Sequence, residues 1–235
     1  MKTVALTGAS GAIGKAIAEG LPGLGDYELR PMSRSINGTD LMEADGLAEK
    51  FRGCDAVIHL AWGYARESEV PGRSSFNNLV MHRNVLDATK AAGVKQAVMA
   101  SSVHADFFYD WMGPGLLGLD RQQRANGLYG GLKLLVETLD EEAADEDYRV
   151  VDVRYGGVTD DGQPHPTDSW ERRVWLSYAD LCRLMHAVLA HDDPPAYAKL
   201  YAVSDNEHRV HDTANPFGWE PQDSAPVDIR ADLSP

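Results

Sequence analysis

Short apolar runs alternate with amphipathic segments along the 235-residue chain. Strands of the kind that parallel sheets bury are predicted at 3–7, 27–32, 56–61, 96–100, 149–153 and 200–203. Apolar residues at helical spacing predict helices at 13–21, 47–51, 74–92, 129–144 and 178–189. This alternation predicts one α/β domain over residues 1–235, with a doubly wound parallel sheet of Rossmann type. From about residue 154 onward we expect a small C-terminal cap that covers a substrate.

The turn after the first predicted strand is rich in glycine. Gly8, Gly11 and Gly14 form Gly-x-x-Gly-x-x-Gly, which is one residue longer than the usual dinucleotide fingerprint. Such a turn between a strand and a helix lets the backbone approach a pyrophosphate, which the helix N-terminus attracts. We therefore expect a dinucleotide to be held by Gly8, Ser10, Gly11, Ala12, Ile13 and Gly14.

The end of the second predicted strand distinguishes the two nicotinamide dinucleotides. An acidic residue at this position takes the adenosine ribose hydroxyls of NAD, whereas an arginine suits the 2′-phosphate of NADP. The chain has Ser33, Arg34 and Ser35 there and no carboxylate. The planar, charged fork of Arg34 favours NADP, and NAD is the alternative if Arg34 is only a surface arginine.

The net charge separates this chain from nucleic-acid binding proteins. It carries 36 acidic against 22 basic residues, a formal net charge of −14, whereas a nucleic-acid binder would be basic. Adaptation to a salt-rich cytoplasm would explain the acidic surplus. Cys54 and Cys182 lie far apart, which predicts no disulfide framework. The sequence shows no export signal, membrane-spanning apolar run or metal-ligand pattern, so we expect a cytoplasmic protein without a metal.

Ser102, Tyr129 and Lys133 form the constellation that indicates chemistry. Tyrosine has an ordinary pKa of about 10 and becomes a base at neutral pH only beside a cation. Lys133 follows Tyr129 by one helical turn and can lower the pKa of its phenol. Ser102 at a strand end can bond the reacting oxygen. In a dinucleotide-binding chain this set predicts removal of a hydroxyl proton during hydride transfer.

Five motifs follow one another as they do in one branch of the extended short-chain dehydrogenase/reductase family. They are Ser101-Ser102-Val103-His104, Leu128-Tyr129-Gly130 with Lys133, Trp-Leu-Ser-Tyr-Ala-Asp at 175–180, Leu-Tyr-Ala-Val-Ser-Asp-Asn at 200–206 and Gly-Trp-Glu-Pro-Gln-Asp at 218–223. Over nearly its whole length, the chain resembles the uronate dehydrogenases and NAD-dependent glucose-6-phosphate dehydrogenases of that branch. The resemblance implies oxidation of the C1 hydroxyl of a sugar to a lactone.

The resemblance also implies roles for further residues. Asp40 and Leu41 would line the adenine, although Asp40 could also be the N-cap of the helix at 47–51. Asn78 would help to order the catalytic site. The other cofactor contacts expected are Leu60, Ala61, Trp62, Tyr129, Lys133 and Tyr155. The substrate contacts expected are Ser102, His104, Tyr129, Gly157, Arg172, Arg173 and Trp175.

Departures from the branch leave the identity of the sugar open. Val103 replaces an asparagine and Gly157 replaces a serine, so two polar groups are lost. The arginine that holds a uronate carboxylate has only Arg172 and Arg173 nearby, at shifted spacing. The irregular segment 106–127 is expected to be either a wall of the substrate pocket or a structural cover. A neutral aldose, a sugar phosphate and a uronate all stay open as substrates.

Two other functions use the same scaffold. A nucleotide-sugar epimerase or reductase needs a larger C-terminal lobe for the nucleotide part of its substrate. A non-catalytic dinucleotide sensor would have no need of Tyr129, Lys133 and Ser102. A homo-oligomer is expected only by analogy with relatives that pair through the helices flanking the site.

Overall fold

The computed structural model describes residues 1–63, 76–109, 111, 113–167 and 169–226. The strands are β1 (Lys2–Thr7), β2 (Tyr27–Met32), β3 (Ala56–His59), β4 (Gln96–Ser102), β5 (Arg149–Tyr155) and β6 (Tyr197–Ala202). The α-helices are α1 (Ala12–Gly20), α2 (Arg34–Asn37), α3 (Leu47–Phe51), α4 (Asn77–Ala92), α5 (Gly127–Ala143), α6 (Ser169–Arg173) and α7 (Tyr178–Ala190). Residues 74 and 75 of the helix predicted at 74–92, which corresponds to α4, lie outside the described residues.

All six strands run parallel in one sheet, in the order β2-β1-β3-β4-β5-β6. The direction of winding reverses at β1, whose neighbours are β2 on one side and β3 on the other. Open sheets of this kind bind ligands outside the carboxyl ends of the strands, at the point of reversal. The predicted doubly wound sheet is confirmed, and its point of reversal lies where the glycine loop leaves β1.

Apolar side chains form a separate core on each face of the sheet. Along β1, Val4 and Leu6 face the core shared with α1 and α7, whereas Ala5 faces the core shared with α3 and α4. Successive strand residues point to opposite faces, so a strand that is covered on both faces is apolar at every position. This explains the continuous apolar runs from which the strands were predicted.

The chain beyond β5 contributes side chains to the main core and adds the edge strand β6 to the sheet. α7 packs beside α1, and β6 pairs with β5. The strand predicted at 200–203 therefore begins earlier, at Tyr197, and belongs to the main sheet. Parts of the remaining chain form a small third core with the segment after β4, made by Val103, Phe108, Leu117, Val174, Tyr201, Val203 and Val210.

The two cysteines are buried and free, one on each side of the sheet. None of the helices within the described residues is both long enough and apolar enough to cross a membrane. Within the same residues, no group of three or more histidine, cysteine or acidic side chains is placed to hold a metal ion.

Candidate active site

A cleft of about 390 Å³ opens at the carboxyl ends of β1, β2 and β3. Its walls are the strand ends and the loops that follow them: Gly8, Ser10, Gly11, Met32, Ser33, Arg34, Ser35, Thr39, Asp40, Leu41, Leu60, Ala61, Trp62, Gly63 and Met81. Most of the residues predicted to bind the cofactor belong to this lining. Sequence reasoning missed four of its members, which carry no dinucleotide signature of their own: Met32, Thr39, Gly63 and Met81.

The glycine loop passes so close to β3 that Gly8 has no room for a side chain. Gly8 has a φ of +71°, and a Cβ there would lie 2.7 Å from the backbone nitrogen of Ala61. A Cβ on Gly14 would lie 2.5 Å from the Gly8 carbonyl oxygen. Gly11 is the N-cap of α1 and has no side chain to accept bonds from the first-turn N–H groups. The loop therefore presents backbone donors to the cleft, which fits the pyrophosphate of a dinucleotide.

Six predicted cofactor contacts lie outside the cleft lining: Ala12, Ile13, Gly14, Tyr129, Lys133 and Tyr155. Ala12 and Ile13 begin α1, and Ile13 packs against the core beneath it. Tyr155 is only 4% exposed and shares a core with Val153, and its hydroxyl donates to the Sδ of Met185 at 3.6 Å. The expectation that the Tyr155 side chain contacts a cofactor is corrected, because the alternation along β5 turns it into the core.

The turn after β2 holds Arg34 at the cleft. Ser33 is the N-cap of α2, and its Oγ accepts a bond from the backbone nitrogen of Ile36 at 3.1 Å. The Oγ of Ser35 lies 3.1 Å from the Oγ of Ser33. Arg34 is exposed and makes no hydrogen bond or ion pair with any residue that the structure describes. Its guanidinium is therefore available to an anionic ligand in the cleft.

The next wall of the cleft is the loop that contains Asp40. The Oδ1 of Asp40 accepts a bond from the backbone nitrogen of Met42 at 3.0 Å, which tightens this loop. The N-cap of α3 is Gly46, so the alternative role of Asp40 as a helix cap is wrong. The Nδ2 of Asn84 donates to the Leu41 carbonyl at 2.9 Å and ties the loop to α4.

Asn78 fixes the chain that follows β3. Its side chain is 1% exposed and makes two bonds of 2.7 Å with Gly63, accepting from the backbone nitrogen and donating to the carbonyl oxygen. Gly63 directly follows Trp62 in the cleft wall. Asn78 therefore orders the site through this segment of backbone.

The three predicted catalytic side chains meet where β4 ends. Tyr129, in the first turn of α5, lies between Trp62 and His104, with ring centroids 5.8 Å apart in each case. The Nζ of Lys133, one turn later, lies 5.8 Å from the Tyr129 ring centroid. Ser102 ends β4, and its Oγ accepts a bond from the backbone nitrogen of His104 at 3.2 Å. His104 thus links the serine to the tyrosine in space.

Lys133 is buried beside the aromatic wall of the site. Its Nζ donates to the Ala100 carbonyl at 2.6 Å and lies 3.5 Å from the ring centroid of Trp62. Burial lowers the pKa of Lys133 from 10.5 to about 7, and the carboxyl groups of Asp152, Asp140 and Glu137 oppose this shift. The charge of Lys133 therefore changes within the neutral pH range.

The protonation of His104 follows from its neighbours. Its Nδ1 lies 2.9 Å from the Nδ2 of Asn126. An amide nitrogen can only donate, so Nδ1 accepts and the ring proton of the neutral imidazole is on Nε2. Burial lowers the pKa of His104, which keeps the ring neutral at physiological pH. The site therefore holds a neutral imidazole whose only ring donor is Nε2–H.

The sequence profile of the NAD dependent epimerase/dehydratase family matches residues 4–168, well over half of the chain. The chain belongs to this family. NAD-dependent glucose-6-phosphate dehydrogenase of Haloferax volcanii is 33% identical, over 94% of each chain. L-arabinose 1-dehydrogenase (NAD(P)(+)) of the same organism is 27% identical and matches 96% of this chain and 98% of that protein.

A comparison with solved structures points to the same group of dehydrogenases. The crystal structure of uronate dehydrogenase from Agrobacterium tumefaciens has a TM-score of 0.78 at 26% identity, covering 95% of this chain and 85% of that one. The resemblance to the uronate and NAD-dependent glucose-6-phosphate dehydrogenase branch is therefore confirmed.

In this family member the two arginines considered for an anionic substrate are engaged elsewhere. Arg172 donates to the carbonyl oxygens of His165 and Pro226 at 2.6 Å each and of Pro166 at 3.1 Å. The Arg172 guanidinium therefore holds loops together, and its expected contact with the substrate stays a prediction. The Arg173 guanidinium lies 4.7 Å from the ring centroid of Trp170.

The end of β5 leads into the remaining predicted substrate contacts. Gly157 forms an isolated parallel bridge with Trp175, which is 7% exposed and whose carbonyl accepts from the Ser204 nitrogen at 2.8 Å. The indole of Trp175 is thus packed within the C-terminal segment. A Cβ on Gly157 would lie 3.0 Å from the Oε2 of Glu171. Glu171, which the sequence did not single out, therefore brings a carboxylate to a predicted substrate position.

A buried polar layer lies beneath the reactive side chains of this family member. Arg154 pairs with both carboxylate oxygens of Glu137 at 2.7 Å, and Ser101 donates to the same carboxylate. The only sequence signal for this layer is the pair of charged residues, Asp152 and Arg154, inside the apolar run of β5.

Proposed function

We propose that this chain is an NAD(P)-dependent sugar 1-dehydrogenase that oxidises the C1 hydroxyl of an aldose to a lactone. The observation that carries the proposal is the meeting of Ser102, Tyr129 and Lys133 near a cleft whose glycine loop fits a pyrophosphate. Relatives named as sugar dehydrogenases, matched over almost their whole length, support it.

Each reactive side chain has a distinct task in the proposed reaction. Protonated Lys133 stabilises the phenolate of Tyr129, which removes the proton of the C1 hydroxyl. Ser102 donates a hydrogen bond to the same substrate oxygen and holds it near the tyrosine. The nicotinamide, when bound, supplies the hydride acceptor. The residues that would hold the dinucleotide are those that line the cleft, from Gly8 to Met81.

The surroundings of Arg34 support NADP over NAD. Arg34, Ser33 and Ser35 line one end of the cleft, and no carboxylate occupies the tip of β2. A guanidinium without a partner among the described residues suits the 2′-phosphate, which NAD lacks.

Glu171 supports a polar group of the substrate next to Gly157. Its Oε2 lies 3.0 Å from where a Cβ of residue 157 would stand, and a carboxylate oxygen accepts hydrogen bonds from sugar hydroxyls. Neutral aldoses, aldose phosphates and uronates all carry such hydroxyl groups, so the proposal covers all three substrate classes.

The proposed activity is tested by initial rates of NADP and NAD reduction with neutral aldoses, aldose phosphates and hexuronates. Tyr129→Phe should lower turnover about 10²–10⁴-fold and leave cofactor binding intact, because only the proton acceptor is lost. Tyr178→Phe is the matched control, since within the described residues the Tyr178 hydroxyl donates to the carbonyls of Thr159 and Asp160, away from the reactive side chains. Cofactor binding without turnover on any sugar would contradict the proposal and favour a dinucleotide sensor.

The cofactor preference is tested at Arg34. Arg34→Gln should lower kcat/KM for NADP on the order of tenfold and change the value for NAD little, because it removes one charge-assisted contact. Arg52→Gln, at an exposed arginine paired with Glu49, is the control. A wild-type protein with a higher kcat/KM for NAD would overturn the preference for NADP.

A further inference from the structure

The inward face of α5 continues past the reactive residues into the interior. Tyr129, Lys133, Glu137 and Asp140 follow at intervals of four, four and three residues, which places them on one helix face. Lys133, Glu137 and Asp140 are each at most 3% exposed. Glu137 is neutralised by the two bonds from Arg154. The charge of Asp140 has no such cation bonded to it among the described residues.

Asp140 faces a second buried carboxyl group, Asp152 of β5. Both side chains are 0% exposed. The Oδ1 of Asp140 accepts from the Nε2 of His82 at 2.7 Å, and the Oδ2 of Asp152 accepts from the Tyr197 hydroxyl at 2.7 Å. Within the described residues, the other two oxygens, Oδ2 of Asp140 and Oδ1 of Asp152, are buried without a donor.

Those two oxygens can satisfy each other only through a proton. Two carboxylates cannot both ionise when they share a buried site, whereas a carboxylic acid donates well to a carboxylate. Burial raises the pKa of Asp152 far above its ordinary value, and the nearby carboxylates of Asp140 and Glu137 add to the shift. Burial also raises the pKa of Asp140. One proton for the two groups leaves a single negative charge.

The two imidazoles beside the pair carry no positive charge that would cancel its single negative charge. Burial lowers the pKa of His82 to about 3, and burial, with the nearby Lys133 adding to the effect, lowers the pKa of His59 well below its ordinary value. Both imidazoles are therefore neutral at physiological pH. The titratable and charged groups around the pair are His59 on β3, His82 on α4, Lys133 and Glu137 on α5, Tyr148 before β5, Arg154 on β5, and Tyr197 and Lys199 on β6.

We propose that Asp140 and Asp152 share one proton and form a positioning pair whose single negative charge favours the protonated form of Lys133. Glu137 is already bonded to Arg154 and approached by Lys199 at 3.4 Å, so the aspartate pair is the countercharge left for Lys133. The consequence for turnover rests on the proposed function, because protonated Lys133 matters there through Tyr129.

The test compares two single variants with the double variant. In Asp140→Asn the amide oxygen accepts from His82 and the amide N–H donates to Asp152, so one carboxylate remains. Asp152→Asn preserves the bonds and the charge in the same way, with Tyr197 donating to the amide oxygen. Asp140→Asn with Asp152→Asn removes the charge altogether. The matched control for the loss of two carboxyl groups changes Asp192 and Asp193 together to asparagine, because these two residues are adjacent in sequence and exposed.

The pKa of the Lys133 amine, followed by nitrogen NMR on lysine-labelled protein without cofactor, is the primary measurement. The double variant should lower this pKa by about one unit, and each single variant should leave it near the wild-type value. The alkaline limb of kcat/KM should move to lower pH by the same amount. An unchanged Lys133 pKa in the double variant, or a full shift in either single variant, would overturn the proposal.

An infrared measurement tests the shared proton without any turnover. The wild-type protein at neutral pH should show the carbonyl band of a buried carboxylic acid, and each single variant should lack it. Absence of this band in the wild type would contradict proton sharing. The wild type can show the carboxylic acid band, and the double variant the lowered Lys133 pKa, even if no sugar is oxidised. In that case the proposed function is wrong, but the shared proton and its effect on Lys133 are supported.

Discussion

The two halves of the site are built from different materials. The cofactor cleft consists of main chain and mostly small side chains, with Gly8 pressed against the backbone of Ala61. The side that we propose for the substrate, called the substrate side below, is built from large rings: the ring centroids of Phe108 and Tyr109 lie 4.4 Å apart, and those of Tyr109 and Trp170 lie 5.6 Å apart. A main-chain wall depends on a few glycines, whereas a wall of side chains can change one residue at a time. The cofactor half can therefore be recognised from its glycine pattern, whereas the ring wall carries no such pattern in the sequence.

Arginines follow the same division. Arg34 at the cofactor cleft has no ion-pair partner among the described residues. On the substrate side, by contrast, arginines lie against aromatic rings, with Arg121 4.8 Å from the ring centroid of Trp111 and Arg124 4.5 Å from that of Phe107. Of these three arginines, Arg34 alone leaves its guanidinium without a partner among the described residues, and it lies at the cofactor end.

The largest effect is expected where main chain meets main chain on the substrate side. A Cβ on Gly130 would lie 2.0 Å from the His104 carbonyl oxygen, so Gly130→Ala must move α5 away from the end of β4. Tyr129 would then be displaced from Ser102. We expect turnover to fall on the order of a hundredfold, and stability to fall by about 1–3 kcal/mol, measured by initial rates and urea denaturation.

The adjacent residue provides the control for this change. A Cβ on Gly131 has no neighbour within 4 Å, and Gly131 lies in the same helix. Gly131→Ala should stabilise the protein by up to about 1 kcal/mol and retain turnover, since alanine is the better helix former. Equal behaviour of the two variants would show that the approach of α5 to β4 does not set the catalytic geometry.

The second-largest effect is expected on cofactor binding, from a change in the glycine loop. Gly8→Ala introduces a Cβ 2.7 Å from the Ala61 nitrogen at a φ of +71°, so the loop must move away from β3. We expect the Kd for NADP to rise on the order of tenfold to a hundredfold, because the pyrophosphate donors lose their alignment. Gly93→Ala has a similar φ of +78° but no neighbour within 4 Å. It should cost stability through strain alone and leave the Kd unchanged, as fluorescence titration can establish.

Local patterns explain which parts of the molecule could be predicted from sequence. The strands were predictable because both faces are buried, and Lys133 was placed beside Tyr129 by helical spacing alone. Ser102 reaches the same place because parallel strands end at one edge of the sheet. These inferences need only periodicity and topology.

The features that the sequence did not predict depend on long-range contacts or on a strand boundary. The three carbonyl partners of Arg172 include Pro226, which is 54 residues away in sequence, so no local pattern reports them. Tyr155 was misplaced because the predicted strand stopped at Val153. Extending β5 by two residues puts Tyr155 on the same face as Val153, inside the core. The Asp140–Asp152 pair likewise joins a helix to a strand and has no local signature.

The smallest expected effect is on the pH dependence of folding stability, and it arises on the substrate side. His211 lies in the small core of the substrate side, 5.1 Å from the ring of Phe108 and 4.5 Å from that of Tyr201, with both ring nitrogens buried and unbonded among the described residues. Burial lowers its pKa to about 3, with Arg154 and His104 contributing. The unfolded chain therefore binds a proton below its ordinary pKa of about 6.5 that the folded chain does not bind. Stability is lost as pH falls from about 6.5 towards 3.

His211→Phe removes this titration and the two unbonded nitrogens while retaining the aromatic packing. At pH 5 the removed proton linkage corresponds to a gain of about 2 kcal/mol over wild type, with a smaller gain at pH 7.5, measured by urea denaturation. Some acid sensitivity should remain, because burial also lowers the pKa of His82 to about 3. His208→Gln, at an exposed histidine, is the control. The Kd for NADP should not change, since His211 packs against Phe108 and Tyr201 and does not line the cofactor cleft. An equal gain at both pH values would show that packing rather than proton binding is responsible.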